Sequence, residues 1–268
     1  MKTTPIALTI AGSDSGGGAG IQADLKAFSA NCVYGASVIT AVTAQNTCAV
    51  TAVHEIPADV VHAQIDAVLQ DLKPQAIKLG MLFSPAIIRT IAKALSGYDG
   101  TVILDPVMIA KSGDALLQEE AVATLKSDLL PHVDLLTPNL PEAAKLLGAD
   151  AAKDQHDMQD QAFALLELGP GAVLMKGGHS TGDTCTDLLL SGSAQPLSLS
   201  ASRVNTRNTH GTGCTYSAAI AAQVARDLPL TDAVTAAHVY LQKAIAAADD
   251  LTIGSGHGPV HHFHAVWS

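Results

Sequence analysis

Aromatic residues are scarce in this chain, at 3% of 268 positions, although 48% of the sequence is hydrophobic. The core must therefore be built from Ala, Val, Leu and Ile, a composition that suits a parallel sheet wrapped by alanine-rich helices. Basic clusters are missing as well. Twenty-five Asp and Glu face 15 Lys and Arg, for a net charge of −10, so duplex nucleic acid and anionic membranes are poor partners. The four cysteines, Cys32, Cys48, Cys185 and Cys214, show neither CxxC nor zinc-site spacing and read as reduced thiols of a cytosolic protein. Cys32 and Cys48, in apolar contexts, read as inert core. No run approaches transmembrane length. The opening MKTTPIALTIAGSDSGGG has a short apolar stretch of β-formers without a cleavage-type context, and reads as a first strand. A soluble, cytoplasmic protein is expected.

Two nucleotide-binding signatures are also absent. The loop Gly12–Gly20 misses the dinucleotide fingerprint because Ile21 stands where the last glycine belongs, and no lysine follows a glycine as a P-loop requires. An acidic protein that binds phosphates must then rely on backbone amides, one or two lysines and a divalent metal.

What is present is an alternation of strand-like and helical runs, which predicts βαβ units and a mainly parallel sheet within one domain spanning residues 1–268. Strands are expected at Ile6–Ala11, Ser37–Thr43, Thr51–Glu55, Ala76–Leu79, Thr101–Leu104, Val133–Leu136 and Ala172–Lys176, with an antiparallel pair at Thr184–Leu190 and Leu197–Val204. Helices are expected from Ile21 to Ala30, Pro57 to Asp71, Pro85 to Leu95, Leu117 to Leu130, Gln155 to Leu168 and Thr231 to Ala247, with a short one ending at Leu147. Chemistry-bearing residues recur where such strands end: the glycine loop, Asp105, Asn139 and Glu142, Lys176, and the turn Gly211-Thr212-Gly213-Cys214. Ligands of open α/β sheets bind at those ends, which argues for an enzyme.

The last turn is the focus. Its glycines let N–H groups point at one spot, and the alanine-rich helix beyond adds its positive dipole end. Such a pocket holds an anion such as a transferring phosphate. Cys214 stands at its mouth, where a helix N-terminus lowers a thiol pKa and prepares it to take a proton. Glu142, three residues after Asn139, reads either as a helix cap or, beside Asp105 and Lys176, as an organiser of hydrated Mg²⁺. Lys176 is either a snorkelling strand end or a phosphate contact. Gln45 can hydrogen-bond in one plane to a ring edge, or simply make a turn. Met81 can pack or face a flat ring. The histidines of GHGPVHHFH, from Gly256 to His264, lack a recognised ligand spacing and read as surface or packing residues.

Taken together, GSDSGGGAGIQADLKAF, TAQNT, KLGM, LDPVMIAKSGDALL, TPNLPEA, VLMKGGH, NTHGTGCTYSAA and GHGPVHHF resemble the hydroxymethylpyrimidine/phosphomethylpyrimidine kinases of thiamine biosynthesis, within the ribokinase-like superfamily. The likeness covers nearly the whole chain. It implies a three-layer α/β/α fold, a homodimer, and two successive phosphorylations by ATP and Mg²⁺. The first falls on the hydroxyl of 4-amino-5-hydroxymethyl-2-methylpyrimidine and the second on the resulting monophosphate.

By the same resemblance, Gln45 reads the pyrimidine, and Gly12, Asp14, Ala19, Met81 and Val107 line its pocket. Lys176, Asn139 and Thr209 serve the nucleotide phosphates. Asp105 and Glu142 serve the metal through water, and Gly211, Thr212, Gly213 and Cys214 form the anion hole. Ala110–Ala115 would be a flap over the substrate. Ribokinases and most pyridoxal kinases carry aspartate where Cys214 stands, so the cysteine favours the pyrimidine branch. Cysteine-containing pyridoxal kinases also carry a flap cysteine, which Met108–Leu116 lacks. Pyridoxal kinase remains the alternative.

Overall fold

The computed structural model describes residues 3–108, 116–179, 182–192 and 195–267. The chain runs through β1 (Ile6–Asp14), α1 (Gly20–Ala30), β2 (Tyr34–Gln45), β3 (Val50–Glu55), α2 (Ala58–Asp71), β4 (Ala76–Leu79), α3 (Pro85–Leu95) and β5 (Thr101–Leu104). It continues through α4 (Glu119–Thr124), β6 (Leu135–Leu136), α5 (Leu140–Leu147), α6 (Gln155–Leu166), β7 (Ala172–Met175), β8 (Thr184–Ser191), β9 (Leu197–Ser202), α7 (Thr212–Ala225) and α8 (Leu230–Ala246). The proposed flap, Ala110–Ala115, lies outside the described residues.

The strands form one nine-stranded sheet among the described residues, in the order β3-β2-β1-β4-β5-β6-β7-β8-β9. From β2 to β7 the neighbours are parallel. β3 closes one edge antiparallel to β2, and β8 and β9 close the other as the expected antiparallel pair.

The two-residue side-chain period of the strands sorts the core into two faces. Leu8, Ile10, Ile77, Leu79, Val102 and Leu104 meet residues of α2 to α6, such as Val61, Ile87, Ala121, Leu140 and Met158. Ala7, Ala76, Ile103, Leu135 and Leu174 point the other way, onto α1, α7 and α8. This is the three-layer arrangement expected. Helix α3 shows why such a helix forms. Ser84 caps it, Pro85 opens it, and Ile87, Ile88 and Ile91 are fully buried on one side. Each isoleucine contributes roughly 1.5–3 kcal/mol by leaving water. In α7 the run Ala218–Ala222 is fully buried, and its small side chains seat the helix close against the sheet.

Three expectations need correcting. β1 does not end at Ala11 but continues to Asp14 through an irregularity in its pairing with β2, so part of the anticipated glycine loop is strand. The helix expected over Leu117–Leu130 is α-helical only to Thr124, then widens into a π turn at Leu125–Leu129 and tightens at Leu130–His132. Pro131 cannot continue an α-helix, and the wider turn keeps Leu125, Leu129 and Leu130 all buried. β6 is cut to two residues because the Asp134 carboxylate takes the Val102 N–H at 2.7 Å in place of a ladder carbonyl. No described helix is long and apolar enough to cross a membrane.

Candidate active site

The first strand delivers Asp14 to a loop that it then organises. Its carboxylate, 3% exposed, accepts the N–H groups of Gly16 at 2.8 Å, Gly18 at 3.1 Å and Ala19 at 2.9 Å. His210 Nε2 lies 2.9 Å from the same group. Burial would raise its pKa, but His210 and the Ala19 and Gly16 amides outweigh burial and hold it below the ordinary aspartate range. Asp14, expected to line the substrate pocket, thus also organises the glycine loop through these hydrogen bonds. Ala19 caps α1. Gly12 lies under the Met81 thioether. Met81 and Val107 share a small apolar cluster with Ala41, Leu116, Val53 and Phe83.

Across the sheet, β5 hands over to Asp105, which is 2% exposed. Lys176, just past β7, reaches it with Nζ 2.6 Å from Oδ1 and lies 3.9 Å from Glu142 Oε2. Burial disfavours the lysine cation, yet Asp105 and Glu142 together raise its pKa. Glu142 forms a reciprocal cap with Asn139. Asn139 N–H donates to its Oε2 at 2.8 Å, and its own N–H donates to Asn139 Oδ1 at 2.9 Å. Capping and proximity to Lys176 are therefore both real. Burial, with Asp105 adding to it against Lys176, pushes the Glu142 carboxyl up to about 7.

Above these groups sits the turn that opens α7. Gly211 adopts φ +76°, and a Cβ there would stand 1.9 Å from the Gly18 carbonyl oxygen. Only glycine fits. A Cβ on Gly213 would lie 3.2 Å from Asp105 Oδ2 and 3.4 Å from Lys176 Nζ, so the backbone of the turn faces those two groups directly. Thr212 and Thr209 brace the bend through a 2.7 Å hydrogen bond from Thr212 Oγ1 to the Thr209 carbonyl. At its near end His210 Nε2 stands 3.4 Å from Gln45 Nε2. One turn therefore touches both Gln45 and the Lys176–Asp105 pair. Replacing Gly211 with alanine is expected to cost more than about 2 kcal/mol from the left-handed backbone and the contact with Gly18. Thermal melting checks this: a fall of about 5 °C or more is expected for a chain of this size, and an unchanged midpoint would show the bend to be unconstrained.

Cys214 departs from expectation. It is half-buried, with Sγ turned inward onto the Gly20 N–H. Burial raises its pKa, Lys78 opposes, and the Asp24 and Asp105 carboxylates raise it further, leaving it at about 11. The helix terminus alone would lower it, but desolvation and two carboxylates from α1 and β5 prevail. His210, four residues earlier, is engaged with Asp14 and Gln45.

The chain matches the family model described as phosphomethylpyrimidine kinase over residues 14–261. It belongs to that family. It is 56% identical to the hydroxymethylpyrimidine/phosphomethylpyrimidine kinase of Rhizobium meliloti over 264 residues, covering 98% of this chain and 99% of the relative. Among solved structures it resembles an ADP complex of Bacillus subtilis pyridoxal kinase, with a TM-score of 0.90, 34% identity and coverage of 98% and 99% of the two chains. A phosphomethylpyrimidine kinase from Clostridium difficile is 43% identical, with a TM-score of 0.78 and coverage of 90% and 99%. The mainly parallel α/β fold is common to these neighbours.

Within this family member the sequence reading missed a fully buried ion pair. Lys78 Nζ, on β4, lies 3.0 and 2.9 Å from the two carboxylate oxygens of Asp24 on α1, and Thr9 Oγ1 donates to Asp24 at 2.6 Å. Burial favours the neutral amine, but Asp24 more than offsets it and Lys78 stays charged. A lysine inside the otherwise apolar run AIKLG was the available signal. Cys32 and Cys48, expected in the core, are exposed, because they fall on the turns after α1 and β2 rather than within them. Of the tail histidines, His261 and His262 are buried, and His262 Nε2 lies 2.9 Å from Thr215 Oγ1.

Proposed function

We propose that this chain phosphorylates 4-amino-5-hydroxymethyl-2-methylpyrimidine with ATP, and then phosphorylates the monophosphate to the diphosphate, as a single domain in the cytoplasm of the cell. A homodimer is part of this reading, on family resemblance. The observation that carries it is the Gly211–Cys214 turn, which meets Gln45 through His210 at one end and Lys176 with Asp105 through Gly213 at the other. A ring held at Gln45 can therefore present its substituent to a phosphoryl group held at the turn.

Little covalent chemistry is required of the protein in phosphoryl transfer; positioning and charge neutralisation supply most of the acceleration. The amides of Gly211–Cys214 and the Lys176 cation face the transferring group, with Thr209 and Asn139 beside them. Gln45 reads the pyrimidine edge, Met81 and Val107 cover its apolar faces, and Gly12 and Ala19 leave room for it. Cys214, in its thiolate form, takes the hydroxyl proton in the first step.

Among the described residues no group of three or more Cys, His, Asp or Glu side chains forms a ready metal cage. Asp105 and Glu142 nonetheless suit Mg²⁺. Two carboxylates share one lysine, leaving local negative charge, and Mg²⁺ is commonly held by one or two carboxylates through water plus substrate phosphates. Asp105 and Glu142 would hold the ion, which would supply positive charge to neutralise the phosphates.

The likeness to pyridoxal kinases makes the substrate panel the decisive assay. With ATP and Mg²⁺, turnover is expected to rank hydroxymethylpyrimidine and its monophosphate above pyridoxine and pyridoxal. Preference for pyridoxal would overturn the assignment. Gln45→Ala is expected to raise KM for the pyrimidine about 10-fold or more through loss of paired ring contacts, with KM for ATP unchanged. A parallel rise in both would remove Gln45 from ring recognition.

A further inference from the structure

Asp187 on β8 belongs to none of the groups discussed above, and only 8% of it is exposed. Its Oδ1 accepts the N–H of Gly177 at 2.8 Å, one residue past Lys176. Oδ2 faces His238 Nε2 of α8 at 4.0 Å. The buried Tyr216 hydroxyl, from the first turns of α7, meets the same carboxylate loosely, outside full hydrogen-bond geometry. The Tyr216 and His238 rings approach each other with centroids 6.2 Å apart, tilted by 54°.

Among the described residues Asp187 has no Lys or Arg within ion-pair distance; burying such a carboxylate is costly, and an apolar side chain would fill the site more stably. Burial does raise the Asp187 pKa, opposed first by the Gly177 N–H. What the carboxylate delivers is local. Lys176 N–H donates to the Pro138 carbonyl at 2.8 Å, fixing the backbone on the β6 side. The Gly177 N–H to Asp187 fixes it on the β8 side. Between these anchors the Lys176 side chain departs toward Asp105. A shift of about 1 Å at such a point can cost a phosphate contact about 100-fold in rate.

We propose that Asp187 is a positioning residue for Lys176. Seated by Tyr216 and His238, it locks the Lys176–Gly177 backbone so that Nζ is presented between Asp105 and the incoming phosphate. The inference rests on the reading of Lys176 as a phosphate contact.

The test uses the full chain and steady-state kinetics with each substrate varied in turn. Asp187→Ala is expected to lower kcat/KM for ATP about 10-fold or more, with KM for hydroxymethylpyrimidine unchanged within about twofold. Asp187→Asn, which keeps an acceptor oxygen, is expected to recover most of that loss. In a Lys176→Met background the Asp187 substitution is expected to add nothing, because coupled residues are non-additive. Should Asp187→Ala fail to fold, Asp187→Ser replaces it, with a hydroxyl too short to reach Gly177. Unchanged ATP kinetics, a rise of about tenfold or more in KM for hydroxymethylpyrimidine, or full additivity with Lys176→Met would each overturn the positioning role. An undamaged Lys176→Met enzyme would instead refute the lysine reading itself.

Discussion

Lys176→Met is expected to lower kcat by about 10²–10³-fold, the magnitude seen when a preorganised charge is taken from a transferring group. The geometry makes the loss larger than the removal of one cation. Lys176 stands between Asp105 at 2.6 Å and Glu142 at 3.9 Å. Without it two buried carboxylates face each other with no cation between them. Breaking a buried pair by removing one partner costs about 3–5 kcal/mol, so stability should fall too, and the assay belongs with folded, melting-checked protein. Lys176→Arg keeps the charge and is expected to recover part of the rate. Turnover of Lys176→Met within a few-fold of the parent would assign the lysine to the fold alone.

Cys214→Ala is expected to divide the two half-reactions. Phosphorylation of the hydroxyl needs a proton acceptor, and removing one costs about 10²–10⁴-fold. Phosphorylation of the monophosphate needs none near neutral pH, because its nucleophile is already ionised, so the second step should fall far less. The raised thiol pKa adds a pH signature. With a value of about 11, pH 7 lies about four units below it, and roughly one thiol in ten thousand is ionised. The base is therefore scarce at neutrality, and the first half-reaction is expected to accelerate as pH rises from 7 toward 9. The second should not follow it. A comparable loss in both steps, or a flat pH profile for the first, would take Cys214 out of the proton path and leave it as part of the anion hole.

Much of this was legible in the residues, for identifiable reasons. The bounds of β4, α3 and β5 were readable because short β-branched runs and a Ser-Pro cap carry local signals that tertiary contacts reinforce. The turn at Gly211 was readable because its glycines have no cheap substitute. What could not be read came from groups far apart in sequence. Lys78 and Asp24 meet only after β4 has aligned beside β1 and α1 has docked, and neither shows a motif of its own. The thiol of Cys214 looked acidic from its helix alone, but burial, with Asp24 and Asp105 from different elements adding to it, reverses that. That the oxygens of Asp14 would bind the loop's own amides could not be read either. The π turn after α4 escaped notice because the leucine spacing fits an unbroken helix as well as a widened one, and only Pro131 hinted at the difference.

The account is most directly tested by a crystal structure of the chain with ADP, Mg²⁺, aluminium fluoride and hydroxymethylpyrimidine. The fluoroaluminate, standing in for the phosphoryl group in flight, is predicted to rest on the backbone amides of Gly213 and Cys214 with Lys176 Nζ alongside, and the pyrimidine on Gln45. A fluoroaluminate bound away from that turn, with the ring elsewhere, would contradict it.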